Sequence, residues 1–494
     1  MKCNLLFFSV IAAISACQKS PSPDFEESAT TPRHPNIIVI FSDDQGYADI
    51  GINDQVNDVK TPNIDALARN GVRMTSGYVT APQCVPSRAG LITGKYQQRF
   101  GTDHGGTRPL PLNEKTIAER MQAAGYVTGM AGKWHLEPNH LQKDWIAENM
   151  PELKMKNIGA EDIPFKKKKP YMSSRRGFQQ VFEGRINDYW ATYDLQGRDI
   201  DEQWIVKNGY RIDLQTDATI AFVKRNQDKP FFFYLAYFAP HVPLEAPKRY
   251  LSRFPGDMAE RRRYCLAMIS AIDDGVGKIR QTLRDLNLEE NTIIYFISDN
   301  GAPLKIHKED RTLAFKGGAW NGSLNDPFVG EKGMISEGGI RVPFIVSWPG
   351  GLPKGKVYDR PVISLDVAAT SLSMAGLEPD SELDGVNLIP FLNDEKQGDP
   401  HETLFWRFWQ QAAVREGNFK YMTAGNREFL FNVASEEDET KNLIGEYPDK
   451  AKDLRKKLEL WARELKTPGI PDGGLKNERG WFNHYFSLVN PNSS

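Results

Sequence analysis

Cysteine is scarce in this 494-residue chain, with only Cys3, Cys17, Cys84 and Cys265. That excludes a disulfide-stapled scaffold. No apolar run reaches the roughly 20 residues of a membrane-spanning helix. Neither sign of charge is in excess: 62 Lys plus Arg face 64 Asp plus Glu, for a formal net charge of -2. A strongly basic nucleic-acid binder and an acidic tail protein are thereby excluded. Internal repeats and long low-complexity tracts are missing too. What is present is an ordinary globular composition, 40% apolar and 26% charged, long enough for a large core.

The N-terminus reads as an address. Lys2 precedes an apolar stretch, Leu5 to Ala16, too short for a folded membrane anchor. It ends Ile14-Ser15-Ala16-Cys17, small residues before a cysteine, which resembles the lipobox of bacterial lipoproteins. The expectation is a signal peptide over 1–16, an acyl-anchored Cys17 and an exported protein held at a membrane, periplasmic or on the cell surface. Residues 17–34, rich in Ser, Pro, Thr and Glu, read as a flexible tether.

From Asn36 the pattern is regular. Asn36 to Phe41 is a short β-branched apolar run that stops at Ser42-Asp43-Asp44. Thr292 to Ile297 repeats the design and stops at Ser298-Asp299-Asn300. Tyr126 to Met130 leads to Gly132-Lys133-Trp134-His135, and Phe231 to Tyr237 leads to Ala239-Pro240-His241. Val342 to Trp348 is a fifth run. Such runs read as strands buried on both faces of a parallel sheet. Amphipathic helices are expected at Thr116 to Ala124, Thr216 to Asn226 and Arg262 to Leu286. Strands alternating with helices specify an α/β fold with a helix-flanked sheet, whose ligand sits beyond the carboxyl ends of the strands. Four short aromatic runs between Leu404 and Val433 suggest an antiparallel meander, followed by a charged helix over Asp449 to Leu465. The expected division is an α/β domain over 35–399 and an α+β subdomain over 400–494.

Asp43, Asp44, Asp299 and Asn300 offer hard oxygen ligands, which favour Ca2+ or Mg2+ over zinc or copper. Each pair taken alone is ordinary turn chemistry. Cys84-Val85-Pro86-Ser87-Arg88 places a cysteine where a helix begins. Beside Arg88, such a thiol is expected to be acidified, unless it is simply a small buried apolar residue.

Cys84-x-Pro86-Ser87-Arg88, continued by Ala89-Gly90-Leu91-Ile92-Thr93-Gly94, resembles the signature of type I sulfatases. Asp43-Asp44-Gln45-Gly46-Tyr47, Gly132-Lys133-Trp134-His135, Ala239-Pro240-His241-x-Pro243, Ser298-Asp299-Asn300-Gly301 and Lys332-Gly333 with Glu337 to Pro343 agree in order and spacing. The resemblance spans about Asn36 to Ile444. It implies an alkaline-phosphatase-like fold: a large mixed sheet flanked by helices, with a smaller C-terminal antiparallel subdomain. It also implies that a dedicated maturation enzyme oxidises Cys84 to formylglycine (3-oxoalanine), whose hydrate is the nucleophile. One Ca2+ would be held by Asp43, Asp44, Asp299, Asn300 and residue 84. Lys133 and Lys332 would hold sulfate oxygens, and Arg88 would fix the diol. His241 would protonate the leaving sugar oxygen, and His135 would take the second diol proton as sulfate departs. The implied substrate is a sulfated carbohydrate, such as a carrageenan-type galactan. The alternatives are a phosphate or phosphonate ester hydrolase on the same fold and a non-catalytic glycan-binding lipoprotein.

Weaker features remain. Lys166, Lys167, Lys168 and Lys169, with Arg175 and Arg176, read as a solvated basic loop that is also suited to further sulfates on a polymer. His104, His140, His307 and Trp320 are candidate pocket residues. Gly333, Gly338 and Gly339 read as turn glycines, and Cys265 as helix core.

Overall fold

The computed structural model describes residue 1 and residues 34–153, 158–305, 308–315, 319–378, 380–435, 438–470 and 474–486. Cys3, Cys17, the lipobox and the tether, together with His307, lie outside the described residues. In chain order the first strands are β1 Asn36–Ser42, β2 Gly71–Met74, β3 Gly77–Tyr78, β4 Val127–Gly132, β5 Gln180–Gly184, β6 Asp188–Tyr193, β7 Asp199–Val206 and β8 Phe231–Ala236. They are followed by β9 Thr292–Ser298, β10 Phe344–Ser347, β11 Lys356–Tyr358, β12 Val362–Ile363, β13 Leu404–Phe408, β14 Gln411–Glu416, β15 Phe419–Ala424 and β16 Arg427–Asn432.

Ten of them form one mixed sheet in the order β11-β2-β10-β9-β1-β8-β4-β5-β6-β7. The four runs expected to carry chemistry are immediate neighbours at its centre. β9, β1, β8 and β4 lie side by side and parallel, so their carboxyl ends open on one edge. The fifth run departs from the parallel expectation, because β10 pairs antiparallel with both β9 and β2. The amino end of β10 therefore faces the site, which brings Glu337 to Pro343 there and sends Pro349-Gly350 to the opposite edge.

The central strands are buried on both faces, and alternate residues feed two cores. Ile37, Val39 and Phe41 join Tyr234, Tyr295 and Ile297 in one. Ile38 and Ile40 join Phe231, Phe233, Leu235 and Phe296 in the other. The period-2 geometry of a strand requires this division when helices cover both faces. On the second face lie the helices Arg211–Arg225 and Glu260–Asp285, the latter carrying fully buried Cys265. The helix Ile117–Ala123 starts with a capping box, in which the Thr116 hydroxyl accepts from the Glu119 amide and the Glu119 carboxylate accepts from the Thr116 amide.

The strands β13-β14-β15-β16 form a separate antiparallel sheet, followed by the helix Pro448–Ala462. Trp406, Phe408, Val414 and Tyr421 pack into the same core as β1 and β9. A buried ion triad ties the two sheets together. Lys420 Nζ lies 2.9 Å from Glu337 Oε1 and 2.9 Å from Glu439 Oε1, and all three side chains are fully buried. Glu337 follows the Lys332 loop, so the C-terminal sheet braces one wall of the site.

Candidate active site

Cys84 opens the helix Cys84–Thr93, with Pro86 in its first turn, and all ten residues of that helix are buried. The Cys84 Sγ lies 3.3 Å from Lys332 Nζ and 4.0 Å from Asp44 Oδ1. Burial pushes the thiol up to about 12, against the pull of Lys133 and Lys332 and with the help of Asp299 and Asp43. The expected acidic thiol is thus corrected. Desolvation and neighbouring carboxylates outweigh the helix terminus and Arg88, so residue 84 in its thiol form is a poor nucleophile.

The carboxylates at the strand ends are each matched by a cation. Asp43, at the end of β1, receives Lys133 Nζ at 2.9 and 2.7 Å. Asp44, held at a φ of 64°, receives Lys332 Nζ at 2.6 and 2.8 Å. Asp299, at the end of β9, accepts the Asp44 amide at 3.0 Å and Arg88 Nη2 at 2.8 Å. Arg88 is fully buried and also donates to the Tyr234 hydroxyl at 3.1 Å and to the Lys133 carbonyl at 3.2 Å. Asp43 is held well below its usual range: burial acts against its charge, but Lys133, His241 and Arg88 overcome it. Asp299 moves the other way, raised by burial and by the neighbouring charge of Asp43.

Asp43, Asp44, Cys84 and His241 bring one ligand atom each within 4.8 Å of one another. Asn300 Nδ2 donates to Asp44 Oδ1 at 2.8 Å, while its buried Oδ1 has no hydrogen-bond partner among the described residues. Two carboxylates and the unpaired Asn300 Oδ1 supply hard oxygens there, beside the position of residue 84 and one His241 nitrogen. That donor set fits a hard divalent cation.

His241 Nδ1 is 2.6 Å from the Val242 carbonyl, so it carries the proton and donates. Its Nε2 is then the atom that faces the site, 3.7 Å from Asp44 Oδ2. The ring stacks on Phe238 at 4.9 Å. Burial lowers His241 to about 4. His135, at a φ of 63°, is also pushed well below its usual value, by burial and then by Lys133 and Arg185. Both rings are therefore neutral near pH 7 in the free protein.

Cys84, His135, His241 and Lys332 line one end of a cavity of about 640 Å3, which His104, His140 and Lys168 also border. Lys133 borders an adjoining cavity of about 290 Å3, and Arg88, Asp43, Asp44, Asp299 and Asn300 lie buried behind. Trp320 is not at the cavity. It is buried with Ala302 and Leu304, and its Nε1 donates to the Ser323 carbonyl at 2.6 Å. Lys166, Lys169, Arg175 and Arg176 border a different cavity, and Lys167 Nζ donates to the Asn149 carbonyl. Gly333 has a φ of 98° and suits a turn. Gly338 and Gly339 lie in the helix Glu337–Ile340, where a Cβ would strike the carbonyl oxygens of Gly330 and Met334 at 2.4 and 1.8 Å.

Sequence reasoning missed the wall formed by Glu137, Glu183, Arg185 and Trp204. Glu183, Arg185 and Trp204 belong to β5, the turn after it and β7, segments with no motif. The alternation of Asp199 to Val206 after the Gln196-Gly197 turn was the available signal for a half-exposed strand. Tyr234, hidden within an apolar run, gave no sign of its bond to Arg88.

Comparison with known proteins follows the same outline. The sulfatase family model matches residues 35–377, and that for the C-terminal part of N-sulphoglucosamine sulphohydrolase matches 329–462. The chain is 32% identical over 426 residues to N-acetylgalactosamine-6-sulfatase of Canis lupus familiaris, covering 80% of this chain and 72% of the relative. It is also 32% identical over 411 residues to an uncharacterized sulfatase, YdeN, of Escherichia coli strain K12, covering 76% and 69%. Among solved structures, Ps i-CgsB in complex with k-i-k-neocarrahexaose superposes with a TM-score of 0.72 at 28% identity, covering 91% of this chain and 97% of the other. The chain belongs to the sulfatase family and is a sulfuric ester hydrolase.

Proposed function

We propose that this enzyme removes sulfate from a sulfated carbohydrate of galacto configuration, with residue 84 as formylglycine and Ca2+ at the carboxylate cluster. The observation that carries this reading is the convergence on residue 84. Lys332 touches it, Asp44 lies beside it, and both histidines border the same cavity. Relatives named for N-acetylgalactosamine 6-sulfate, and a similar structure holding a neocarrahexaose, support the sugar class.

Formylglycine supplies a hydrated aldehyde oxygen where a buried thiol would stay protonated. Asp43, Asp44, Asp299 and Asn300 would hold Ca2+, which would supply positive charge against the incoming sulfate ester. The chain's own residues do the rest. Lys332 and Lys133 turn from their carboxylates to the sulfate oxygens and hold the ester in line, in a site where water does not compete. Arg88, pinned by Asp299 and Tyr234, keeps the helix start and the charge balance fixed. His241, oriented through Nδ1 on Val242, takes up a second proton at Nε2 as the anionic ester arrives and passes it to the departing sugar oxygen. His135, neutral and half-buried, accepts a proton at its ring nitrogen after the sugar has left.

The export signal and the acyl anchor on Cys17 belong to the same proposal: a bacterial lipoprotein acting on polysaccharide outside the cytoplasm and matured by a formylglycine-generating enzyme. Cys17→Ser should then release the protein from membranes with turnover unchanged. The deciding experiment combines two measurements on the mature enzyme: intact-peptide mass at residue 84 and sulfate release from sulfated galactose and N-acetylgalactosamine. An unmodified cysteine in a fully active enzyme, or release of phosphate but no sulfate from matched esters, would overturn the reading.

A further inference from the structure

We propose that the cleft beside the sulfate-holding centre is a second saccharide subsite. It receives the sugar next to the one losing sulfate, with that neighbour's ring on Trp204 and an anionic substituent on Arg185. This rests on the carbohydrate reading above and specifies the substrate as an oligosaccharide charged on adjacent sugars.

The cavity that contains Cys84 extends along Glu137, Glu183, Arg185 and Trp204, and the adjoining cavity shares those four residues and His135. The combined space exceeds the needs of one sugar ring. Trp204 lies on β7, the terminal strand of the ten-stranded sheet, and is 50% exposed. Trp190 and Phe165 back its ring at 5.6 and 6.3 Å. A half-exposed indole at the cleft, backed by two further rings, is well suited to the apolar face of a sugar.

Arg185 has a side chain 43% exposed, and its ion pair with Glu137 is long, at 3.7 Å. Its guanidinium lies 6.0 Å from the centre of Phe238, the ring that also stacks on His241. One aromatic ring thus separates a charged fork from the site of proton transfer. A planar fork with so loose a partner suits bidentate binding of sulfate or carboxylate.

The test uses four kinds of probe. These are a single sulfated galactose, neocarrabiose 4-sulfate with an uncharged neighbour, its disulfated counterpart, and the chondroitin 6-sulfate disaccharide, whose neighbour carries a carboxylate. The measured quantity is kcat/KM for each disaccharide divided by that for the single sugar. Charged neighbours should raise the wild-type ratio about tenfold or more, chiefly through KM, as expected for one charge-assisted pair. Arg185→Gln should erase the advantage of the charged neighbours alone, and the arm that falls most identifies sulfate or carboxylate as the group read. Trp204→Ala should lower the ratio for every disaccharide, and Trp204→Phe should retain most of it. Ratios unchanged in Arg185→Gln and Trp204→Ala, with single sugars still hydrolysed, would remove the subsite and leave the sulfatase reading intact. Absence of sulfate release from all four probes would remove both.

Discussion

His241 and His135 face the same cavity as chemically similar rings, but their proposed roles predict opposite substrate dependences. A sugar alkoxide leaves with difficulty and needs a proton as its bond to sulfur breaks, whereas a nitrophenolate does not. The Val242 carbonyl holds the Nδ1 proton of His241, so only Nε2 can deliver one to the ester oxygen. Burial keeps that ring near 4 in the free protein. An arriving sulfate adds negative charge beside it and raises its proton affinity at the moment the proton is needed. General acid catalysis contributes ~10²–10⁴-fold where required, or about 2.7–5.4 kcal/mol at 1.36 kcal/mol per decade. His241→Ala should lose that factor in kcat/KM on a sulfated sugar and less than about tenfold on 4-nitrophenyl sulfate. His135→Ala, acting after the leaving group has gone, should lower kcat by similar factors on both substrates. Steady-state sulfate release by the two variants on the two substrates decides the matter. Equal losses at His241 on both, with a lowered melting temperature, would reduce it to a packing residue stacked on Phe238 and refute the reasoning.

Chelation should abolish activity and Ca2+ should restore it; Asp299→Ala should bind no metal by elemental analysis, and recovery with zinc alone would contradict the oxygen-donor assignment. Lys420→Met should cost about 3–5 kcal/mol in denaturant unfolding, because it removes the buried cation from ionised Glu337 and leaves Glu439 without its partner. A change below 1 kcal/mol would show that the triad does not brace the two sheets. Stability should also depend on pH above neutrality. Burial raises Glu183 and Glu439 to about 8, and Asp438 and Glu478 to about 7. In the unfolded chain all four have already lost their protons by pH 6.5, so the folded form binds more protons and its stability falls as pH rises through 7 and 8. The melting temperature should drop between pH 6.5 and 8.5, and a flat or rising profile would show that these carboxyls are ionised throughout.

Much of the fold and the centre of the site was legible in the sequence alone. Short, continuous β-branched runs between turn residues favour strands buried on both faces, and a parallel sheet then places Asp43, Lys133, His241 and Asp299 at its carboxyl edge. The helix start at Cys84 and the C-terminal meander are equally local in origin, since Pro86 and short alternating aromatic runs carry their own conformational preference. Tertiary structure decided whatever depends on neighbours distant in sequence. The direction of β10 follows from its pairing with β9 and β2, which the run Phe344–Ser347 does not encode. The acidity of Cys84 depends on desolvation and on carboxylates some 40 and 215 residues away, and local reasoning from Arg88 gave the wrong sign. Trp320 looked like a pocket residue and turned inward because its indole found the Ser323 carbonyl. Arg185 and Trp204, in a segment with no motif, became part of the site only when β5, β6 and β7 extended the sheet past β4. A motif records the chemistry shared by a family, whereas the walls that select among substrates are assembled by packing between separate segments.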